Sequence, residues 1–167
     1  MNGDGNLLKN CLVSHSGRQG IKIEGGSYNE IFSTLVFDNC RDGIEIDGGS
    51  DNRVFYNHVE DNGNASVCLL FEEDYKPWFY AGIDVTEGFT EDSEEYPSKY
   101  NQIKYNRAGC NLGCVGSDDF PCTARERDFW DENLDDEGNS VSTNVWQNNR
   151  IVCNNAVPEY SPNPTIE

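Results

Sequence analysis

Two sets of side chains in this sequence carry groups that could do chemistry. Tyr56 and His58 flank Asn57, and Tyr105 and Arg107 flank Asn106 in the same order. If these segments are neighbouring strands, alternation turns both asparagines inward and sets a Tyr/Tyr pair beside a His/Arg pair outside. An arginine neutralises a carboxylate, while a histidine or tyrosine takes and returns a proton. The four are therefore the candidate catalytic group for proton abstraction beside a carboxylate. The second set is acidic: Glu45, Asp47 and Asp84. Carboxylates at strand spacing share a proton or hold a cation, and Ca²⁺, which takes carboxylate and carbonyl oxygens, is the expected metal. Each set also has a plainer reading. His58 fits a surface or packing histidine, and the carboxylates fit a solvated face balanced by Lys22.

Aromatic side chains form a third group. Trp78, Tyr80 and Trp130, with Phe79 and Phe129, offer stacking platforms for sugar rings. They equally fit a small satellite core covering whatever lies beneath. No Ser-His-Asp spacing, nucleophile elbow, phosphate loop or dinucleotide fingerprint is present.

What must position these groups is a repeat. Asn6, Asn29 and Asn52 are spaced 23 residues apart, and Asn101 and Asn139 restart the pattern after longer intervals. Two positions after each comes Leu8, Ile31, Val54, Ile103 or Val141; five after comes Cys11, Thr34, Asn57, Asn106 or Asn144. Seven after comes Val13, Val36, Val59, Ala108 or Trp146, and ten after comes Ser16, Asn39, Asn62, Asn111 or Asn149. Gly20-Ile21-Lys22-Ile23 and Gly43-Ile44-Glu45-Ile46 add a segment alternating apolar and polar, the mark of a strand with one buried face. In the third repeat that segment is assigned to Gly82-Ile83-Asp84-Val85, with Val67-Cys68-Leu69-Leu70 as the competitor. The repeat is too short for two packed helices and lacks a leucine-rich pattern. A parallel β-helix remains, in which coils pair in register and equivalent side chains stack. Asparagines suit it because they hydrogen-bond along the stack and tolerate left-handed corners.

The pattern N-x-[ILV]-x-x-N-x-[VA]-x-x-N resembles the right-handed β-helix repeats of the pectin-lyase-like superfamily, including NosD-type proteins and mannuronan C5-epimerases. The resemblance covers residues 6–62 continuously and returns at 101–115 and 139–155. It implies an all-β, right-handed parallel β-helix of about five coils. For function it implies an extracellular domain that interacts with polysaccharide, as a lyase or epimerase acting on an acidic glycan. There Arg107 would neutralise a uronate carboxylate, although the Asp-containing epimerase motifs have no clear match. The superfamily also holds adhesins and non-catalytic binders, so a structural or adhesive module of a cell-surface or fibre protein is the alternative.

Domain organisation follows from where the pattern breaks. Residues 1–155 are assigned to the solenoid, with insertions at 63–100 and 112–138, and residues 156–167, containing Pro158, Pro162 and Pro164, to an extended tail. The chain opens directly on repeat sequence, which suggests a segment of a longer solenoid. Exposed coil ends would be sheet edges that invite end-to-end self-assembly.

The net charge is −18. Such a surface repels phosphates, which argues against nucleic acid and anionic membranes as general partners. A cell-surface glycan is the expected partner, and an extracellular, cell-surface or periplasmic location is expected. Lys99, Lys104, Arg107, Arg125 and Arg127 fall in one third of the chain and would supply a local basic patch. The seven cysteines favour disulfides over zinc, since close CxxC pairs are missing, and their odd number leaves one thiol over.

Overall fold

The computed structural model describes residues 1–63, 65–68, 70, 81–89, 95–96, 98–111, 128–131 and 143–151. The first coil contains β1 (Leu7–Lys9), β2 (Leu12–Ser14) and β3 (Ile21–Glu24). The second repeats them as β4 (Glu30–Phe32), β5 (Leu35–Phe37) and β6 (Ile44–Asp47). The third has β7 (Arg53–Phe55) and β8 (His58–Glu60), a short helix α1 (Ala65–Cys68), and then β9 (Ile83–Thr86). A two-stranded antiparallel pair follows, β10 (Gly88–Phe89) with β11 (Glu95–Tyr96). The fourth coil has β12 (Gln102–Lys104), β13 (Arg107–Gly109) and β14 (Phe129–Asp131), and the fifth has β15 (Val145–Gln147) and β16 (Arg150–Ile151).

Each strand pairs parallel with its counterpart one coil on. The result is three sheets, ordered β1-β4-β7-β12-β15, β2-β5-β8-β13-β16 and β3-β6-β9-β14. This is a parallel β-helix solenoid of five coils. Alternation along each strand makes the core. Leu8, Ile31, Val54, Ile103 and Trp146 stack on the inner face of the first sheet, and Val13, Val36, Val59, Ala108 and Ile151 on that of the second. The third sheet contributes Ile21, Ile44, Ile83 and Phe129, then Ile23, Ile46 and Val85. Most of these side chains have no solvent exposure. Burying each aliphatic group contributes about 1.5–3 kcal/mol, so a chain of modest apolar content still builds a continuous core.

Asparagine ladders hold the corners. Asn6, Asn29, Asn52, Asn101 and Asn144 form one: the backbone N–H of each donates to the side-chain oxygen of the next at 2.8–2.9 Å. Thr34, Asn57, Asn106 and Asn149 form a second. Ser16, Asn39, Asn62 and Asn111 form a third. A buried amide supplies an acceptor upward and donors sideways, as when Asn106 Nδ2 donates to Val54 O at 2.8 Å. Polar groups inside a narrow coil are thereby satisfied without water.

Glycine is required where coils come closest. A Cβ on Gly43 would lie 2.3 Å from Val59 Cγ1 and 2.7 Å from the Gly82 oxygen. At the third sheet's last strand, Asp128 takes the place that Gly20, Gly43 and Gly82 hold below it. Its carbonyl accepts from Ile83 N as that of Gly82 accepts from Ile44 N. Its carboxylate accepts from Asn111 Nδ2 at 2.9 Å and so continues the third ladder.

Two expectations change, and the third-sheet strand assigned to coil three holds. The fifth coil is in register at Asn144, not Asn139: Trp146 stacks on Ile103 rather than on Ala108, and Val145 lies beside Gln102 on the first sheet, away from the column of Leu12 and Leu35. The ladders recur every five residues within a coil, so the pattern matches itself when slid by one rung. The range 112–138, read as an insertion, contains Phe129–Asp131, which pairs with β9 and closes the fourth coil. Of the two contenders for the third sheet in coil three, Ile83–Thr86 is the strand, and Val67 and Cys68 belong to the helix. That helix is tied to the second coil by a Cys40–Cys68 disulfide, with Val67 packed beside it. Cys110 is also disulfide-bonded, whereas Cys11 is a free thiol. Cys114, Cys122, Cys153 and the 156–167 tail lie outside the described residues.

Candidate functional site

The ladders decide what faces solvent. The residue before every ladder position except Asn144 takes a left-handed conformation, including Asn10 (φ 55°), Ser33 (φ 50°), Tyr56 (φ 56°), Tyr105 (φ 58°) and Asn148 (φ 54°) along the corner between the first and second sheets. This turn points the ladder amide inward and its predecessor outward. Asn and Asp tolerate it through local hydrogen bonding, but for a bulky side chain it costs about 1–2 kcal/mol. Tyrosine in such a position is uncommon and directs attention to function. Here it occurs four times, at Tyr28, Tyr56, Tyr100 and Tyr105, and all four rings are exposed.

Tyr56 and Tyr105 stack with centroids 4.9 Å apart and planes 6° from parallel. Phe32 meets the other side of Tyr56 edge-on at 5.5 Å, and Lys9 lies over the Phe32 ring. The ladder of rings ends at Tyr105, because the next corner carries the short side chain of Asn148. Two residues along, His58, Arg107 and Arg150 stand in register on the outer face of the second sheet. At about 4.8 Å per strand, the two guanidinium stems emerge as a close pair. No ion pair among the described residues holds either one. The Glu60 carboxylate lies 3.0 Å from His58 Nε2, at an angle that makes no hydrogen bond. The four residues expected to act together are thus adjacent, and Arg150 joins them. The sequence missed Arg150 because the five-residue slip placed it in the wrong column; the Asn144–Asn149 spacing was the signal that could have found it.

The acidic set is arranged differently. Lys22, Glu45, Asp84 and Trp130 share one outer column of the third sheet, and Glu24, Asp47 and Thr86 share the next. Lys22 Nζ bonds the Asp47 carboxylate and lies 3.8 Å from both Glu24 and Glu45. Partial burial would lower the Lys22 pKa, but the Asp47 bond and the charges of Glu45, Asp47 and Glu24 raise it on balance. Burial pushes the Glu45 carboxyl up, with Lys22 opposing. The ammonium therefore compensates these acids. Among the described residues no three potential ligands converge. Glu45 and Asp47 share the Lys22 ammonium, and Asp84 stands next to Glu45 in the same outer column.

Trp130 stands in register with Asp84 on the third sheet, while the Tyr56/Tyr105 stack marks the corner between the other two. Trp78 and Tyr80, the other expected sugar platforms, lie outside the described residues, as do Arg125 and Arg127. A further feature went unanticipated. Tyr28, Glu30, Asp51, Arg53, Tyr100 and Gln102 line a concavity of 340 Å³ at the edge of the first sheet. Its signal in the sequence is an aromatic residue directly before a ladder asparagine. Among the described residues no helix is long and apolar enough to cross a membrane.

A family model described as a right handed beta helix region matches residues 1–157. No curated protein and no solved structure matches the chain.

Proposed function

This chain belongs to the right-handed β-helix family, and on that basis we propose that it is an extracellular or cell-surface module that binds an acidic glycan. The observation that carries the reading is the register of Arg107 with Arg150 beside the exposed end of the Tyr56–Tyr105 stack. Paired guanidiniums grip a carboxylate through several charge-assisted hydrogen bonds. An aromatic face next to them takes the apolar side of a sugar ring. In a chain of net charge −18, two cations without ion-pair partners among the described residues are a selective feature rather than a general attraction. The Cys40–Cys68 disulfide supports an oxidising compartment, where surface glycans are met.

The same group holds what a lyase or epimerase needs: Arg107 for the carboxylate, and His58, Tyr56 or Tyr105 for the proton. Binding is placed first because it needs only the register of Arg107 with Arg150 beside the stacked rings, whereas proton transfer also needs His58, Tyr56 or Tyr105 aimed at one ring carbon.

Titration calorimetry with alginate and pectate oligosaccharides tests the proposal. Binding should weaken as salt rises and fall at least tenfold, about 1.4 kcal/mol, in Arg107→Gln and Arg150→Gln. Failure to bind any uronan at low salt, or unchanged binding in both variants, would leave the purely structural module as the better account. Ultraviolet-absorbing unsaturated product that is lost in His58→Ala would move the assignment to a lyase.

A further inference from the structure

The concavity on the first sheet is built from the same corner device as the Tyr56–Tyr105 stack, with one difference. In this column the left-handed residues are Gly5, Tyr28, Asp51 and Tyr100. Tyr28 N donates to Ser50 O at 3.3 Å and Asp51 N to Lys99 O at 2.9 Å, so the three stand on successive coils. Tyr56 and Tyr105 occupy adjacent coils and close on each other. Tyr28 and Tyr100 are two coils apart, with the shorter Asp51 between them, and cannot. Both rings remain exposed, at 68% and 58%. They wall the concavity, and Glu30, Arg53 and Gln102 lie in register beside it.

The dimensions limit the occupant. Two coil spacings separate the tyrosines by about 9.5 Å. A flat aromatic ligand in contact with both walls would need them about 7–8 Å apart. A puckered saturated ring carrying axial hydrogens is thicker and fills the gap. The polar groups limit it further. Arg53 only donates, Asp51 and Glu30 only accept, and Gln102 does both, which matches neighbouring hydroxyls that each donate and accept. No ion pair joins Arg53 to either acid among the described residues. Two carboxylates against one guanidinium leave the notch negative, so it disfavours a uronate. We infer that the Tyr28–Asp51–Tyr100 notch is a second glycan site, which takes one neutral pyranose residue edge-inward between the two tyrosines.

This inference does not rest on the acidic-glycan reading, because the two sites share no residue. Saturation-transfer NMR of the whole chain with a panel of neutral hexoses and hexose oligosaccharides tests it. Asparagine is the informative replacement, since Asn10 and Asn148 already occupy equivalent left-handed corners (φ 55° and 54°) and the coil should fold unchanged. Ring C–H protons of at least one neutral sugar should receive saturation from the wild type. The affinity should fall at least tenfold in Tyr28→Asn and in Tyr100→Asn, and stay unchanged in Arg107→Gln. Absence of binding across the panel would overturn the inference, as would full binding in the Tyr28→Asn/Tyr100→Asn double variant. A choline probe that binds where the sugars do not would also overturn it, by assigning the tyrosines to a cation.

Discussion

The side-chain oxygen of Asn106 accepts two hydrogen bonds from Asn57, one from its backbone N at 2.9 Å and one from its Nδ2 at 3.1 Å. These residues are 49 positions apart in the chain, yet they meet as if adjacent in a regular repeat. The relationship holds Tyr56 over Tyr105 and His58 over Arg107, so the candidate site depends on it.

Asn106→Ala should therefore be among the most damaging single changes. It leaves the Asn57 backbone N–H buried without a partner and removes one of two acceptors from the Asn57 side-chain amide, which keeps Ile31 O, so it should cost about 2–3 kcal/mol. Urea unfolding measures the loss. A cost below about 1 kcal/mol would mean that water replaces the amide, and that the ladder is not what holds the corner.

Two glycines should respond unequally to the same change. Gly43→Ala drives a Cβ into Val59 and the Gly82 carbonyl, and should cost about 3 kcal/mol. At Gly5 nothing lies within 4 Å, so Gly5→Ala meets only the left-handed backbone (φ 69°), at about 1–2 kcal/mol. Equal losses in thermal unfolding would contradict this account of coil spacing.

Removing the disulfide in Cys40→Ala/Cys68→Ala opens a loop with a sequence separation of 28 and should cost about 3–4 kcal/mol. Protease sensitivity near α1 should rise at the same time. A variant as stable and as protease-resistant as the wild type would show that the helix docks without its tether.

The buried Asp128 carboxyl gives a pH signature. Burial raises its pKa, and the bonds from Asn111 only partly offset this. A group whose folded pKa exceeds its unfolded value contributes stability below the unfolded pKa and loses it as pH rises through the folded one. At neutral pH the ionised Asp128 therefore opposes folding. Asp128→Asn keeps an acceptor for Asn111 and should be more stable than the wild type at pH 7, with the difference shrinking toward about pH 4. Comparing urea midpoints at the two pH values checks this, and a difference that widened in acid would contradict it.

The sequence by itself determined the coil and its facing. A period of 23 with aliphatic residues at alternate positions allows one in-register stack, and that stack fixed Ile31 over Val54 inside and placed Tyr56 and His58 outside. These features are local, because strand alternation and corner asparagines need only neighbouring residues. What the tertiary structure decided lies across the long intervals. Register there is set by hydrogen bonds spanning 43 or 49 residues, such as Asn101 to Asn144 and Asn52 to Asn101. A ladder that recurs every five residues cannot announce its own rung. Only the fold could show that Asn144 continues Asn101, that Arg150 stands beside Arg107, and that Asp128 fills a glycine's place. The Tyr28–Tyr100 gap likewise exists only once two coils and the intervening Asp51 are stacked. Sequence periodicity thus supplied the scaffold, and coil-to-coil pairing decided which side chains share a site.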